Sequence, residues 1–178
     1  KQREVDSGPQ EEVPEESSAD FFWVLRAGRQ GEREKKALES NLGIPGMDYG
    51  PEVNKQNTLD SIKAAMVREH PDLKAQKATS NASQLNRFKN QMQVGDLVLM
   101  PSKLHKGRVY FGYVSGDYEY RPHEPKEMRH VRPINWSSDF FNRDDLGIDL
   151  QRSLTSLLTI CQVSVSYTHL TLPTSDLV

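Results

Sequence analysis

The sequence predicts an α+β fold in which a curved, mainly antiparallel sheet or small barrel is flanked by two or three helices. Three observations carry this prediction. An apolar strand, "FFWVLRAG", stands near the start and is ended by Gly28. Two segments with helical spacing follow it, and several short apolar segments at close intervals fill most of the remaining chain. This order, with helices grouped before the strands, is typical of α+β domains.

The helical segments follow the first strand. "QGEREKKALESNL", residues 30–42, predicts a short charged helix. Thr58 is the predicted N-cap of the next helix, and Pro71 lies just beyond its end. Its core face is predicted from apolar residues at helical spacing: Leu59, Ile62, Ala65 and Met66. Residues 81–91 predict a further helix with Leu85 and Phe88 on one stripe.

The strand segments come next. They are "VGDLVLMP", "GRVYFGYV", "DYEYRP", "HVRPINW" and, at the end, "LLTICQV". In the second of them Val109, Phe111 and Tyr113 alternate, so we predict that all three face the core. Residues 143–154, "RDDLGIDLQRSL", predict a last helix before the closing strand.

Both ends of the chain differ from its centre. Residues 1–20 contain two basic and seven acidic side chains, a net charge of −5, which leaves +3 for the rest of a chain whose total is −2. We predict that this segment is a disordered acidic tail or linker, because it has too little apolar surface to fold. At the other end, "VSYTHLTLPTS" resembles one translated frame of an adapter used to prepare sequencing libraries. We therefore expect residues 164–178 to be a non-native read-through tail and residues 21–163 to be the folded domain.

Composition limits the compartment and the chemistry. Cys161 is the only cysteine, and no segment approaches the ~20 apolar residues of a membrane span, so a reducing cytoplasmic setting is expected. Pro71-Asp72 and Glu124-Pro125-Lys126 match the PD…ExK pattern of metal-dependent nucleases. However, these carboxylates fall at a predicted helix exit and in a loop, so coincidence is the simpler interpretation. The histidines lack zinc-site spacing. We predict no catalytic residue, metal or cofactor.

The sequence indicates ligand binding more strongly than it indicates catalysis. Basic residues cluster around the predicted sheet, and aromatic residues are interleaved with them: Tyr110, Phe111, Tyr113, Tyr118, Tyr120 and Trp136. Basic groups beside aromatic faces suit a partner that has phosphates and stackable bases. Solvated lysines and core aromatics are the alternative interpretation for any single residue.

Several separated blocks resemble one known domain. The blocks "WVLRAGRQGE", "QVGDLVLMP", "GYVSGDYEYRP", "RHVRPINW" and "LLTICQV" resemble, in this order, the N-terminal domain of Mrr-type restriction endonucleases over residues 22–163. That domain is similar to the PUA-like superfamily, which includes EVE and YTH domains. The Gly-Asp pair before an apolar strand, within residues 91–101, is a shared mark. The resemblance implies a curved sheet with a pocket for a flipped-out modified base.

The resemblance also implies a function. This domain would be the DNA-binding specificity module of a restriction (defence) endonuclease and would recognise a modified base, such as methylated cytosine, in duplex DNA. The fragment itself would not be an enzyme, since the nuclease domain would follow Val163. An RNA-binding YTH/PUA-like module and an effector-sensing domain of a defence protein are the alternatives.

Site residues follow from the resemblance by position. The implied base pocket consists of Arg26, Ala27, Gly28, Met47, Asp48, Tyr49, Pro101, Ser102 and Lys103. Met47 stands where relatives often carry a cage tryptophan, and Tyr49 is its expected substitute. Gln84, Arg87, Tyr118 and Tyr120 are further candidates for the pocket or the nucleic-acid backbone. The expected phosphate contacts are Lys106, Arg108, Arg121, Arg129 and Arg132.

Overall fold

A computed structural model describes residues 21–156 and 158–164, so the acidic segment 1–20 and residues 165–178 lie outside the described residues. The strands are β1 Phe21–Leu25, β2 Leu42–Gly43, β3 Leu97–Pro101, β4 Arg108–Val114, β5 Glu119–Tyr120, β6 His130–Asn142 and β7 Ile160–Ser164. They form one sheet in the order β2-β6-β4-β3-β1-β7, and β5 also pairs with β6. Only β1 and β3 are parallel among the described pairs. The sheet curls into a half-barrel, which confirms the predicted fold class.

Five helices accompany the sheet in the described part of the chain. They are α1 Glu34–Ser40, α2 Pro51–Asn54, α3 Leu59–Glu69, α4 Ala75–Asn86 and α5 Ile148–Ser153. A π-helical turn, Arg87–Gln91, extends α4, and 3₁₀ turns occupy Lys126–Met128 and Arg143–Asp145. The helix predicted over residues 143–154 is therefore interrupted. Gly147 has an extended backbone there and separates the 3₁₀ turn from α5.

Three apolar clusters hold these elements together. The largest lies inside the half-barrel and contains Trp23, Phe88 and Ile134. A second joins α2, α3 and α4 around Ile62 and Leu85. The third lies on the opposite face of the sheet, where side chains from α5 and from the residues after it cover the sheet. Both faces of the central strands are thus covered.

The prediction that Tyr113 belongs to the core is wrong. Alternation does place Val109, Phe111 and Tyr113 on one face of β4, but the largest cluster packs on the other face, through Tyr110 and Val114. Val109 and Phe111 belong to the third cluster, whereas Tyr113 lies outside it and is 47% exposed. A β-bulge between Tyr110 and Gly112 also interrupts the pairing of β4 with β6.

The predicted N-cap of α3 is confirmed. The Thr58 side chain accepts a hydrogen bond from the Ser61 amide, and the Ser61 hydroxyl accepts one from the Thr58 amide, which completes a capping box. Removal of this cap leaves helix-end donors without a protein partner.

Thr58→Ala is therefore expected to lower the free energy of unfolding by about 1 kcal/mol, measured by urea denaturation. Thr79→Ala is the matched control, because the Thr79 hydroxyl is exposed and bonds only the Ala75 carbonyl of its own helix. Equal stability of the Thr58 variant and the wild-type chain would contradict a stabilising cap.

No helix among the described residues is long and apolar enough to cross a membrane.

Candidate nucleic-acid interface

A cationic pocket opens where β1 ends. Its volume is about 520 Å³. Its lining residues are Arg26, Gly28, Arg29, Arg33, Lys103, Arg143, Leu154, Thr155, Ser156 and Thr159. Five of these side chains carry positive charge, and none of the described lining residues is acidic or aromatic. The pocket therefore suits a ligand that carries negative charge.

Arg26 lies directly after β1 and belongs to this wall. Its amide donates to the Thr159 carbonyl at 2.9 Å, and its guanidinium donates to the Leu154 carbonyl at 2.5 Å. The buried Nε atom has no hydrogen-bond partner among the described residues. Burial lowers the pKa of the guanidinium, and the positive charge of Arg143 acts in the same direction. An anion placed between the two arginines would relieve this repulsion.

A second part of the pocket wall comes from Arg143 and from residues 154–156 and 159. The Arg143 guanidinium donates to the Gln151 carbonyl, which ties the 3₁₀ turn to α5. The Gln84 side chain was predicted to face the pocket or the nucleic-acid backbone. It instead binds the protein backbone. Its oxygen accepts from the amides of Thr159 and Ile160 at 2.8 and 3.1 Å and so fixes the start of β7 beside the pocket. Arg87, predicted with it, is half-buried.

Arg33 contributes charge from a buried position. Its guanidinium donates to the carbonyls of Ile44 and Pro45 at 3.0 and 2.8 Å and lies 3.5 Å from the Glu127 carboxylate. These bonds hold the segment after β2 in place. Arg33 is therefore a fixed part of the wall, whereas Arg29 and Lys103 are exposed and free to adapt to a ligand.

Glu34 fixes the loop between β3 and β4, residues 102–107. Its buried carboxylate accepts from the Ser102 hydroxyl at 2.6 Å and from the Lys103 and Leu104 amides at 2.7 and 3.3 Å. The Ser102 hydroxyl in turn accepts from the His105 amide. Of the predicted pocket residues, Ser102 thus positions the loop, Pro101 is the buried last residue of β3, and Lys103 lines the pocket. Ala27, also predicted, is buried in the largest cluster.

Met47, Asp48 and Tyr49 do not line this pocket. The Asp48 carboxylate accepts from the Gly50 amide, the Asn54 amide group and the Arg129 guanidinium, at 2.8, 2.8 and 3.0 Å. Burial acts to raise the pKa of Asp48, but these partners outweigh it and hold the pKa below its usual value.

The residues on either side of Asp48 are also held by local contacts. Met47 adopts a left-handed backbone, with φ of 59°, and packs between two apolar clusters. The Tyr49 carbonyl lies 2.7 Å from Nε2 of His70. Burial raises the pKa of the Tyr49 hydroxyl to about 12.

Tyr118 and Tyr120 both lie against the ring of His130. The Tyr118 hydroxyl is 2.6 Å from His130 Nδ1, and the two rings are stacked, while the Tyr120 ring is tilted against the same histidine. Tyr118 also meets Phe88 edge-on, and Lys89 lies over its ring. Because side chains alternate along "DYEY", both tyrosines face the same side and contact the same buried residue, His130. Neither tyrosine lines the cationic pocket.

His130 is fully buried within this group. Burial, with the charge of Lys89, lowers the pKa of the imidazole to about 4, so His130 is neutral at pH 7. Burial also lowers the pKa of Lys89, whose ammonium donates to the carbonyls of Asn54 and Gln56. Through Tyr118, His130 and Lys89, strands β5 and β6 are linked to the π-helical turn after α4 and to the end of α2 and the residues just after it.

One predicted phosphate contact is wrong. Arg132 is only 3% exposed, and its guanidinium donates to the carbonyls of Phe88, Lys89 and Gly116, so no phosphate can reach it. Its side chain crosslinks β6 to the π-helical turn instead.

The other four residues predicted to contact phosphate differ in how far other side chains already occupy them. Arg129 is committed in part to Asp48, and Arg121 pairs with Glu119. Lys106 is exposed, and Arg108 lies 4.3 Å over the half-exposed ring of Phe140.

The comparison with protein families assigns the chain to one of them. Residues 23–163 match the model of a family described as "Domain of unknown function (DUF8426)". The chain belongs to this family. No curated protein and no solved structure matches the chain.

Within this DUF8426 domain, several pocket residues were not identified from the sequence: Arg29, Arg33, Arg143 and the hydroxyl residues Thr155, Ser156 and Thr159. Arg143 and Arg26 are far apart in the chain and meet because β6 and β1 end at the same edge of the sheet, with β4 and β3 paired between them. The spacing of Arg26, Arg29 and Arg33 is the one local signal for this site. Among the described residues, no group of three or more histidine, cysteine or acidic side chains is placed to hold a metal ion.

Proposed function

We propose that this domain binds duplex DNA and receives one extruded nucleotide, bearing a modified base such as methylated cytosine, in the cationic pocket. In the intact protein it would serve as the specificity module of a cytoplasmic restriction (defence) endonuclease whose nuclease domain follows it. The observation that carries the proposal is the pocket wall of Arg26, Arg29, Arg33, Lys103 and Arg143 without an acidic lining residue in the described chain.

The size and chemistry of the pocket support a nucleotide. A volume of about 520 Å³ falls within the range of about 300–1,000 Å³ that is typical of small-ligand sites. Extrusion of a base costs a few kcal/mol in lost pairing and stacking. Contacts between guanidinium groups and phosphate offset this cost, because they are charge-assisted and often bidentate. Planar guanidinium groups also stack on bases, so the pocket does not depend on an aromatic cage.

The surface beside the pocket supports a longer nucleic acid. The exposed Lys103 belongs both to the pocket and to the loop between β3 and β4, and Lys106 of that loop and Arg108 at the start of β4 continue the positive charge. Phosphates on either side of an extruded nucleotide would meet these groups. Such contacts supply affinity that does not depend on sequence, while the pocket supplies discrimination.

The test compares ligands with the whole 178-residue chain. Fluorescence anisotropy would measure its affinity for matched duplexes that carry cytosine, 5-methylcytosine or 5-hydroxymethylcytosine, for single-stranded RNA and for free mononucleotides. A modified duplex is expected to bind roughly fivefold more tightly than the unmodified one, since one methyl group contributes about 1 kcal/mol. Equal binding to every polymer, abolished by salt, would contradict the proposal. Preference for RNA or for a mononucleotide would favour the RNA-binding or the effector-sensing alternative.

A further inference from the structure

Leu104 is an exposed apolar side chain within a basic loop, residues 102–107. It is 55% exposed, although it is flanked by Lys103, His105 and Lys106. Single exposed leucines are common on protein surfaces, so exposure alone decides nothing. The backbone that presents Leu104 provides the second observation.

That backbone is fixed by a buried charge. The Glu34 carboxylate binds the amides of both Lys103 and Leu104, and Glu34 itself is only 2% exposed. At the base of the loop the Ser102 amide donates to the Arg108 carbonyl at 2.9 Å, and the Arg108 amide donates to the His105 carbonyl. The loop is thus held in one conformation before any ligand arrives, which reduces the entropy lost on binding.

The position of Leu104 relates it to the pocket. Lys103, the preceding residue, lines the pocket, and its Cβ lies so close to Gly31 that a side chain at Gly31 would approach it to 3.1 Å. The loop is therefore packed against the turn between β1 and α1. This packing places Leu104 next to a lysine of the pocket wall.

We propose that Leu104 is a wedge, which enters the base stack of the duplex and fills the space left by the nucleotide that the cationic pocket receives. This inference rests on the proposed function. An apolar side chain suits the role because it replaces stacking contacts without requiring hydrogen bonds, while the neighbouring cations hold the two phosphate backbones. The Glu34 carboxylate acts as a positioning group for the wedge.

The test uses two duplexes that carry 5-methylcytosine at the target position and 2-aminopurine next to it. One is fully paired, and the other has an abasic site opposite the target, so that the stack is already weakened. Leu104→Ala is expected to bind the paired duplex roughly tenfold more weakly than the wild-type chain and to give a smaller rise in fluorescence. On the abasic duplex its affinity is expected to change less than about twofold, and Leu104→Met is expected to retain binding to both duplexes.

The matched control is Val94→Ala, which removes an apolar side chain that is 59% exposed outside the loop. Its affinities are expected to equal those of the wild-type chain. Wild-type affinity of Leu104→Ala for the paired duplex, or an equal loss on both duplexes, would overturn the wedge. If Arg26→Gln still weakens binding in that case, the proposed function stands without the wedge. If the wild-type chain binds neither duplex, both proposals fail.

Discussion

Arg26→Gln and Lys103→Ala are each expected to weaken binding of a modified duplex by roughly tenfold to a hundredfold. Each removes a cation from the pocket wall, and hydrogen bonds to charged groups contribute about 1.5–3 kcal/mol. Lys126→Ala is the control, because it removes the same charge from an exposed residue outside the pocket. Affinity measured at several salt concentrations checks the result, and the salt slope is expected to fall by about one for each lost phosphate contact.

One outcome would contradict this interpretation, and one control is needed. Equal weakening by all three substitutions would show that only general positive charge matters and that the pocket is misplaced. The Arg26 guanidinium also donates to the Leu154 carbonyl, so thermal unfolding must show that the variant is folded. Unlike Arg26, Lys103 makes no such side-chain contact among the described residues, and its substitution therefore provides the independent measurement.

The second large effect concerns stability and pH. His130 has a pKa of about 4 in the folded chain because it is buried, compared with about 6.5 in an unfolded chain. The unfolded state therefore binds a proton first as the pH falls. The stability that neutral His130 confers is complete above pH 6.5 and is lost progressively between pH 6.5 and pH 4. The loss is expected to reach about 2–3 kcal/mol near pH 4.5.

His130→Phe tests this linkage, since phenylalanine stacks between the tyrosines but does not titrate. The free energy of unfolding in urea, measured at pH 7 and pH 4.5, is expected to fall more steeply for the wild-type chain than for the variant. The groups packed around His130, Lys89, Arg129 and Asp48, are present in both proteins. Parallel pH profiles would show that His130 is not the titrating group.

Local patterns predicted the fold well. Thr58 and the apolar stripe after it identified α3, and "GDLVLMP" identified β3, because caps and periodicity are read within one element. Tyr113 was assigned to the core because alternation shows which residues share a face but not which face is covered. The helix predicted over 143–154 failed at Leu146 and Gly147, which both have an extended backbone, and a glycine inside a helix costs about 0.5–1 kcal/mol relative to alanine.

The candidate site was harder to predict from the sequence than the fold. The family resemblance implied Arg26, Gly28 and Lys103 for a base pocket; all three line the cationic pocket, and its use for a base stays a prediction. Arg132 was assigned to phosphate by its charge alone, whereas three backbone carbonyls occupy its guanidinium. Arg143 was missed because the strand order β6-β4-β3-β1, which brings the end of β6 to the same sheet edge as Arg26, is set by tertiary pairing and has no local signal.

A crystal structure of the chain bound to a duplex with one modified cytosine would test the central claim most directly. We expect one nucleotide to leave the stack and enter the pocket, with its phosphate within hydrogen-bond distance of the guanidinium groups of Arg26 or Arg143. A fully stacked duplex that lies on another surface, with the pocket empty, would contradict the account.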